Sequence, residues 1–106
     1  MKPPPPLERD ITQAIRDGLT WLGWIVCSTQ QYRKRGDYQG TTTTVGTPDL
    51  FCARPELHGR WIALEVKRPG RYGRLSPEQK RLVDAGLVHI VTSFEEARAV
   101  VEATER

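Results

Sequence analysis

Seven residues near the middle of the chain, Trp61-Ile-Ala-Leu-Glu-Val-Lys67, restrict its folding more than any other segment. The run is aromatic and aliphatic with two β-branched members, which predicts an extended strand. Side chains alternate along a strand, so Trp61, Ala63, Glu65 and Lys67 share one face and Ile62, Leu64 and Val66 the other. Both faces are apolar where the run begins, so the strand is expected to be covered on both sides. A carboxylate and an ammonium at the end of such a strand are costly to bury unless they pair or hold a metal. A second acid, Asp49, follows Pro48 and opens the preceding apolar run.

The remaining segments divide around this strand. Prolines 3–6 predict a short polyproline-type lead-in. Leu7, Ile11, Ala14, Ile15, Gly18, Leu19 and Leu22 recur at helical spacing, which predicts a helix over 7–22 closed by Gly23. Strands are expected over 24–28, 49–53, 60–67 and 87–92. Residues 30–45 are polar, with Gly36, Gly40 and four successive threonines, and read either as a long functional loop or as a ragged hairpin. Ser76-Pro77-Glu78-Gln79 has the composition of a helix start, with Ser as cap, Pro at the first helical position and Gln three residues past the cap. That helix is expected to close at Gly86. Ser93 and Glu96 repeat the capping pattern ahead of a last helix carrying Ala97, Val100, Val101 and Thr104 on one side. The order is α-β-β-β-α-β-α, an α/β fold in one domain over 1–106.

At 106 residues the chain has room for one modest core. A formal net charge of +3 is compatible with a polyanionic partner without requiring one. Cys27 and Cys52 lie in apolar strand-like runs with no short metal-type spacing, so two buried free thiols are expected; a disulfide or a zinc site are the alternatives. No apolar run approaches the ~20 residues of a membrane helix, and the Met-Lys-Pro-Pro-Pro-Pro start lacks the apolar stretch of a signal peptide. A cytoplasmic protein without a membrane partner is expected.

Four positions break the apolar pattern in a way that points to chemistry. Glu8 falls on the helical arc of Ile11, Ile15, Leu19 and Leu22, whereas Arg9, Asp10, Arg16 and Asp17 fall outside it. Such an acid either offsets the helix dipole or has a partner in the interior. Gln79 shares a stripe with Leu82, Val83 and Gly86, where it either completes a capping box or reaches an acidic cluster; the two roles are compatible. Asp49 and Glu65 converge if their strands are adjacent. Like charges within a few ångströms need a cation, and oxygen donors with open water positions select Mg2+ or Mn2+ over zinc. Lys67, on the face of Glu65, is placed to orient a water or meet developing negative charge, as phosphodiester hydrolysis requires. The alternative is a surface Glu–Lys pair on an edge strand. Two basic clusters, Arg33-Lys34-Arg35 and Lys67 to Arg74 with Arg68, Arg71 and Tyr72, read as solvated surface or as phosphate contacts. Tyr32, Tyr38 and Tyr72 are candidates for stacking on exposed bases. His58 and His89 have no sequence partner.

Taken together these residues resemble the PD-(D/E)XK nuclease superfamily, and within it the small VRR-NUC type, over nearly the whole chain. Gly46-Thr47-Pro48-Asp49-Leu50 is similar to that family's Gly-Val-Pro-Asp-Leu segment, and Glu65-Val66-Lys67 to its Glu-Val-Lys core. Leu75-Ser-Pro-Glu-Gln79 resembles the helix bearing its glutamine, and Glu8 the acid of its first helix. Thr47 departs from the usual valine, and the threonine-rich loop is a larger departure that bears on substrate choice or a dimer face. The resemblance implies a restriction-endonuclease-like αβββαβ core, a mixed central sheet flanked by helices, with an extra C-terminal helix. It further implies a DNA endonuclease dependent on Mg2+ or Mn2+. Asp49, Glu65 and the Val66 carbonyl would hold the ion, with Glu8 directly or through water. Lys67 would serve the nucleophilic water and Gln79 would steady the site. A homodimer acting on branched or junction DNA in phage or bacterial DNA processing is implied in the same way; a non-catalytic nucleic-acid-binding module on that fold is the alternative.

Overall fold

The computed structural model describes residues 3–29 and 46–104. Its elements are α1 (Glu8–Trp21), β1 (Ile25–Ser28), β2 (Leu50–Ala53), β3 (Ile62–Val66), α2 (Pro77–Asp84), β4 (His89–Val91) and α3 (Phe94–Thr104), with a 3-10 turn at Gly70–Tyr72. The order is the expected one; the 3-10 turn was not anticipated. Residues 30–45, and with them Arg33, Lys34, Arg35, Tyr32 and Tyr38, lie outside the described residues.

Helical period produces α1, and a glycine stops it. Gly23 adopts φ 94°, a left-handed conformation that Gly reaches without a Cβ penalty. The Gly23 N–H then donates to the Thr20 carbonyl and the Trp24 N–H to the Leu19 carbonyl, both at 3.0 Å, which satisfies the last turn and delivers Trp24 to the interior.

The four strands form one mixed sheet in the order β1-β2-β3-β4. β1 and β2, and β2 and β3, are antiparallel, whereas β4 runs parallel to β3. A parallel neighbour needs a crossover, and the segment containing α2 supplies it. In the β2–β3 register Leu50 faces Leu64 and Cys52 faces Ile62. Those four residues, with Val66 and Val91, form one aliphatic face that packs on Ile11, Ile15 and Leu19 of α1 and Ala97 and Val101 of α3. Full burial of each such aliphatic side chain contributes roughly 1.5–3 kcal/mol. The fold is thus a mixed α/β structure with three helices and a four-stranded sheet.

Several expected boundaries and burials need correction. All five residues of β3 are buried, as a covered strand requires, but Trp61 lies outside it and is 59% exposed, edge-on to the Phe51 ring at 6.5 Å. The strand cannot start at residue 60, because the Arg60 N–H is turned to the His58 ring at 3.3 Å. β4 is shorter than 87–92 for a similar reason. The Leu87 N–H closes the end of α2 on the Leu82 carbonyl, and the Thr92 N–H goes to the Glu96 carboxylate at 2.7 Å. Cys27 is exposed rather than buried: it faces Phe51 across the β1–β2 pair, on the side away from the aliphatic core. Cys52 is buried as expected, and burial pushes its thiol up from the ordinary range. Both cysteines are free thiols. No helix among the described residues is long and apolar enough to cross a membrane.

Candidate active site

Strand register brings the two central acids together. Leu50 is paired with Leu64 in an antiparallel ladder, so Asp49, one residue before β2, lies opposite Glu65, one residue further along β3. Both are buried, at 8% and 2% exposure. Asp49 Oδ2 accepts the Val66 N–H at 2.8 Å, a bond across the two strands that fixes the carboxylate beside Glu65. From the other side Thr29 secures the backbone of the same residue. Its N–H donates to the Asp49 carbonyl at 2.9 Å and its hydroxyl to the Pro48 carbonyl at 2.6 Å. Thr29 was not anticipated, and no spacing signal marks it.

Gln79 performs both roles the sequence left open. Its Oε1 accepts the Ser76 N–H at 2.9 Å, while its own N–H donates to the Ser76 hydroxyl at 3.2 Å, completing a capping box. Its Nε2 donates to Glu65 Oε1 at 2.6 Å. The cap orients the amide and the amide orients the acid. Gly46 permits this approach: it has φ 90°, and a Cβ there would lie 2.7 Å from the Glu78 Cβ, forcing the first turn of α2 away.

The second oxygen of Glu65 is the anomaly. Oε2 is buried and finds no hydrogen-bond donor among the described residues. Burial, followed by the hydrogen-bonding and charge of the Asp49 carboxyl, pushes the Glu65 pKa up to about 9, against a smaller opposing pull from Lys67. A buried oxygen without a donor needs either a proton or a cation.

Glu8 belongs to the same electrostatic cluster. Half-buried at the start of α1, it is pushed above the usual carboxylate range, first by burial and then by the Asp49 charge, while Lys67 pulls it back. The dipole-offset account alone does not explain coupling to Asp49 and Lys67, at the ends of β2 and β3. Lys67 follows β3 and is half-buried; its N–H donates to the Val91 carbonyl at 3.0 Å, which fixes the Val66–Lys67 peptide. None of the ion pairs formed among the described residues involves Lys67. Among the described residues no three His, Cys, Asp or Glu side chains are gathered tightly enough to hold an ion by themselves. The donor set nonetheless suits a hard divalent cation in its chemistry: two carboxyls, one of them with the orphaned Glu65 oxygen, and the nearby backbone carbonyl of Val66.

The basic residues separate. Arg71 and Arg74 are exposed, on the 3-10 turn and just beyond it, and Tyr72 is the last residue of that turn. Arg68, expected among the phosphate contacts, directs Nε to the Pro6 carbonyl at 3.0 Å and a terminal nitrogen to the Pro5 carbonyl at 2.9 Å. Known protein families, curated proteins and solved structures offer no match to this chain.

Proposed function

We propose that the protein is a metal-dependent nuclease of restriction-endonuclease-like αβββαβ architecture that hydrolyses DNA phosphodiester bonds. One observation carries the reading: two buried carboxyls held in register at the ends of adjacent strands, one with an oxygen that finds no donor among the described residues, with an amine beside them. A structural ion pair does not need a second buried acid, and a hydrophobic core does not need either.

Asp49, Glu65 and the Val66 carbonyl would hold Mg2+ or Mn2+, with Glu8 contributing directly or through water. When bound, such an ion lowers the pKa of a coordinated water and stabilises charge on phosphoryl oxygens. The chain's own groups do the rest. The Val66 N–H holds one oxygen of the Asp49 carboxyl and the Gln79 amide one oxygen of Glu65. Lys67 orients the nucleophilic water and meets the negative charge that builds on the phosphoryl group. Water adds at phosphorus and the bond to the 3′ oxygen breaks, leaving 5′-phosphate and 3′-hydroxyl ends. Arg71, Tyr72 and Arg74, with Arg33, Lys34 and Arg35, position the phosphate backbone. The resemblance extends the reading to branched DNA and a homodimer.

A second reading, a nucleic-acid-binding module without catalysis, is favoured by the upward push on the Glu65 carboxyl, since a protonated acid there would need no cation. Incubation with duplex, single-stranded, flap and four-way-junction DNA across Mg2+ and Mn2+ separates the two. The nuclease reading expects cuts, lost by a factor on the order of 10²–10³ in Asp49→Ala and Lys67→Ala while DNA binding is kept. Binding without cutting under either ion supports the module. Variants that cut at the wild-type rate remove these residues from any catalytic role.

A further inference from the structure

The start of α1 has no cap of its own. Leu7 occupies the N-cap position in extended conformation (φ −67°, ψ 150°) with no side-chain bond to the helix, and its carbonyl accepts the Asp10 and Ile11 N–H groups at 3.0 Å. Glu8, the first helical residue, therefore starts a helix without a side-chain cap, held locally by backbone bonds to Leu7 and by the Thr12 hydroxyl, which donates to the Glu8 carbonyl at 2.9 Å. A further hold comes from outside. Two nitrogens of Arg68 bind successive carbonyls, Pro6 at 3.0 Å and Pro5 at 2.9 Å, immediately upstream of that turn.

Each part of this contact suits its partner. Polyproline backbone has no internal hydrogen bonds, so its carbonyls are available. Proline has few conformations to lose when it is held. The guanidinium presents donors in a rigid fork that can take two adjacent acceptors, whereas a lysine ammonium is a single point. Arg68 is itself anchored: it follows Lys67 directly, and Gly73 packs so closely on its backbone that a Cβ there would collide with the Arg68 carbonyl.

We propose that Arg68 is a positioning residue that ties the proline lead-in to the end of β3 and so holds the first turn of α1, with Glu8, beside Asp49 and Lys67. The proposal rests on the nuclease reading for its functional meaning, and it moves Arg68 from phosphate contact to organiser of the site. The residue after the lysine thereby couples the strand end to the helix that carries the remaining acid.

The test compares Arg68→Gln and Arg68→Lys with wild type in the full chain. In metal-free protein, amide exchange at Asp10 and Ile11 should accelerate about tenfold in Arg68→Gln, as for loss of charge-assisted hydrogen bonds, with Leu64 unchanged and Arg68→Lys intermediate. In cleavage, the Mg2+ midpoint should rise several-fold while the rate at saturating Mg2+ and the salt dependence of DNA binding stay at wild-type values. A merely structural role would lower the saturating rate as well as raise the midpoint and would spread exchange into β3. Unchanged exchange at Asp10 and Ile11 overturns the proposal. So does a salt slope shallower by about 0.9, the mark of one lost phosphate contact. If the wild-type protein cuts no DNA, the nuclease reading fails on its own, and the exchange measurement still decides whether Arg68 holds the turn.

Discussion

Leu64 and Glu65 are neighbours in sequence and nearly equal in burial, at 0% and 2% exposure, yet they sit on opposite sides of β3 and act on stability in opposite directions. On the Leu64 side, aliphatic residues of the sheet close against α1 and α3. On the Glu65 side lie Ala63, Phe51 and Asp49, and α2 reaches Glu65 through the Gln79 amide. Burying the leucine removes apolar surface from water. Burying the acid removes a carboxylate from water, and the group answers by keeping its proton. One strand thus anchors the fold with every second side chain and holds a destabilised acid with the next. Perturbed acids of this kind cluster at functional sites.

The sharpest way to break this contrast is to cut into the aliphatic side. Leu64→Ala should cost about 2–5 kcal/mol of unfolding free energy, read from urea denaturation at constant slope. A loss below about 1 kcal/mol would mean that the core is supported elsewhere.

The acid side should respond to pH instead. Burial pushes the folded Glu65 carboxyl up to about 9, while the unfolded chain gives up that proton near 4.5. Between those limits the folded state binds more protons, so this stabilisation is complete below 4.5 and is lost as pH rises through about 9. Metal-free wild type should lose on the order of 1 kcal/mol per pH unit across that window, and Glu65→Gln should flatten the curve. Mg2+ should flatten it in wild type as well, because a cation takes the place of the proton. Parallel curves for wild type and Glu65→Gln would show that Glu65 is not the group responsible.

The smallest effect belongs to the residue that links α2 to this side. Gln79→Ala should cost about 1 kcal/mol through the lost cap, with a weakened response to Mg2+ because Glu65 loses its orienting bond. Thermal unfolding with and without Mg2+ separates the two components.

Much of the site was visible as inconsistency. Glu8 and Gln79 stood out as polar residues on apolar helical stripes, and Glu65 as an acid inside a strand with apolar neighbours. Such conflicts between local pattern and burial are expected where function overrides packing. Other contacts were not visible. Thr29 reaches Pro48 across 19 residues, and Arg68 reaches Pro6 and Pro5 across 62 and 63. No period or short motif encodes such pairings. Strand ends were missed for a related reason: the amides of Arg60, Leu87 and Thr92 are taken by a histidine ring, a helix-end carbonyl and a glutamate. An exposed Cys27 was missed because alternation tells which residues share a face, not which face of an edge strand is covered.

The sequence by itself determined the number and order of the α-helices and strands, the stop at Gly23, the cap at Ser76 and the acids that would be hard to bury. These follow from local period and from hydrogen bonds spanning a few residues, which a short window contains. Only the tertiary structure decided that Asp49 faces Glu65, that one oxygen of Glu65 has no donor among the described residues, and that Arg68 grips the proline lead-in. Each depends on strand register or on a long-range contact, whose partners are brought together by burial of the whole aliphatic face rather than by anything in their own neighbourhood.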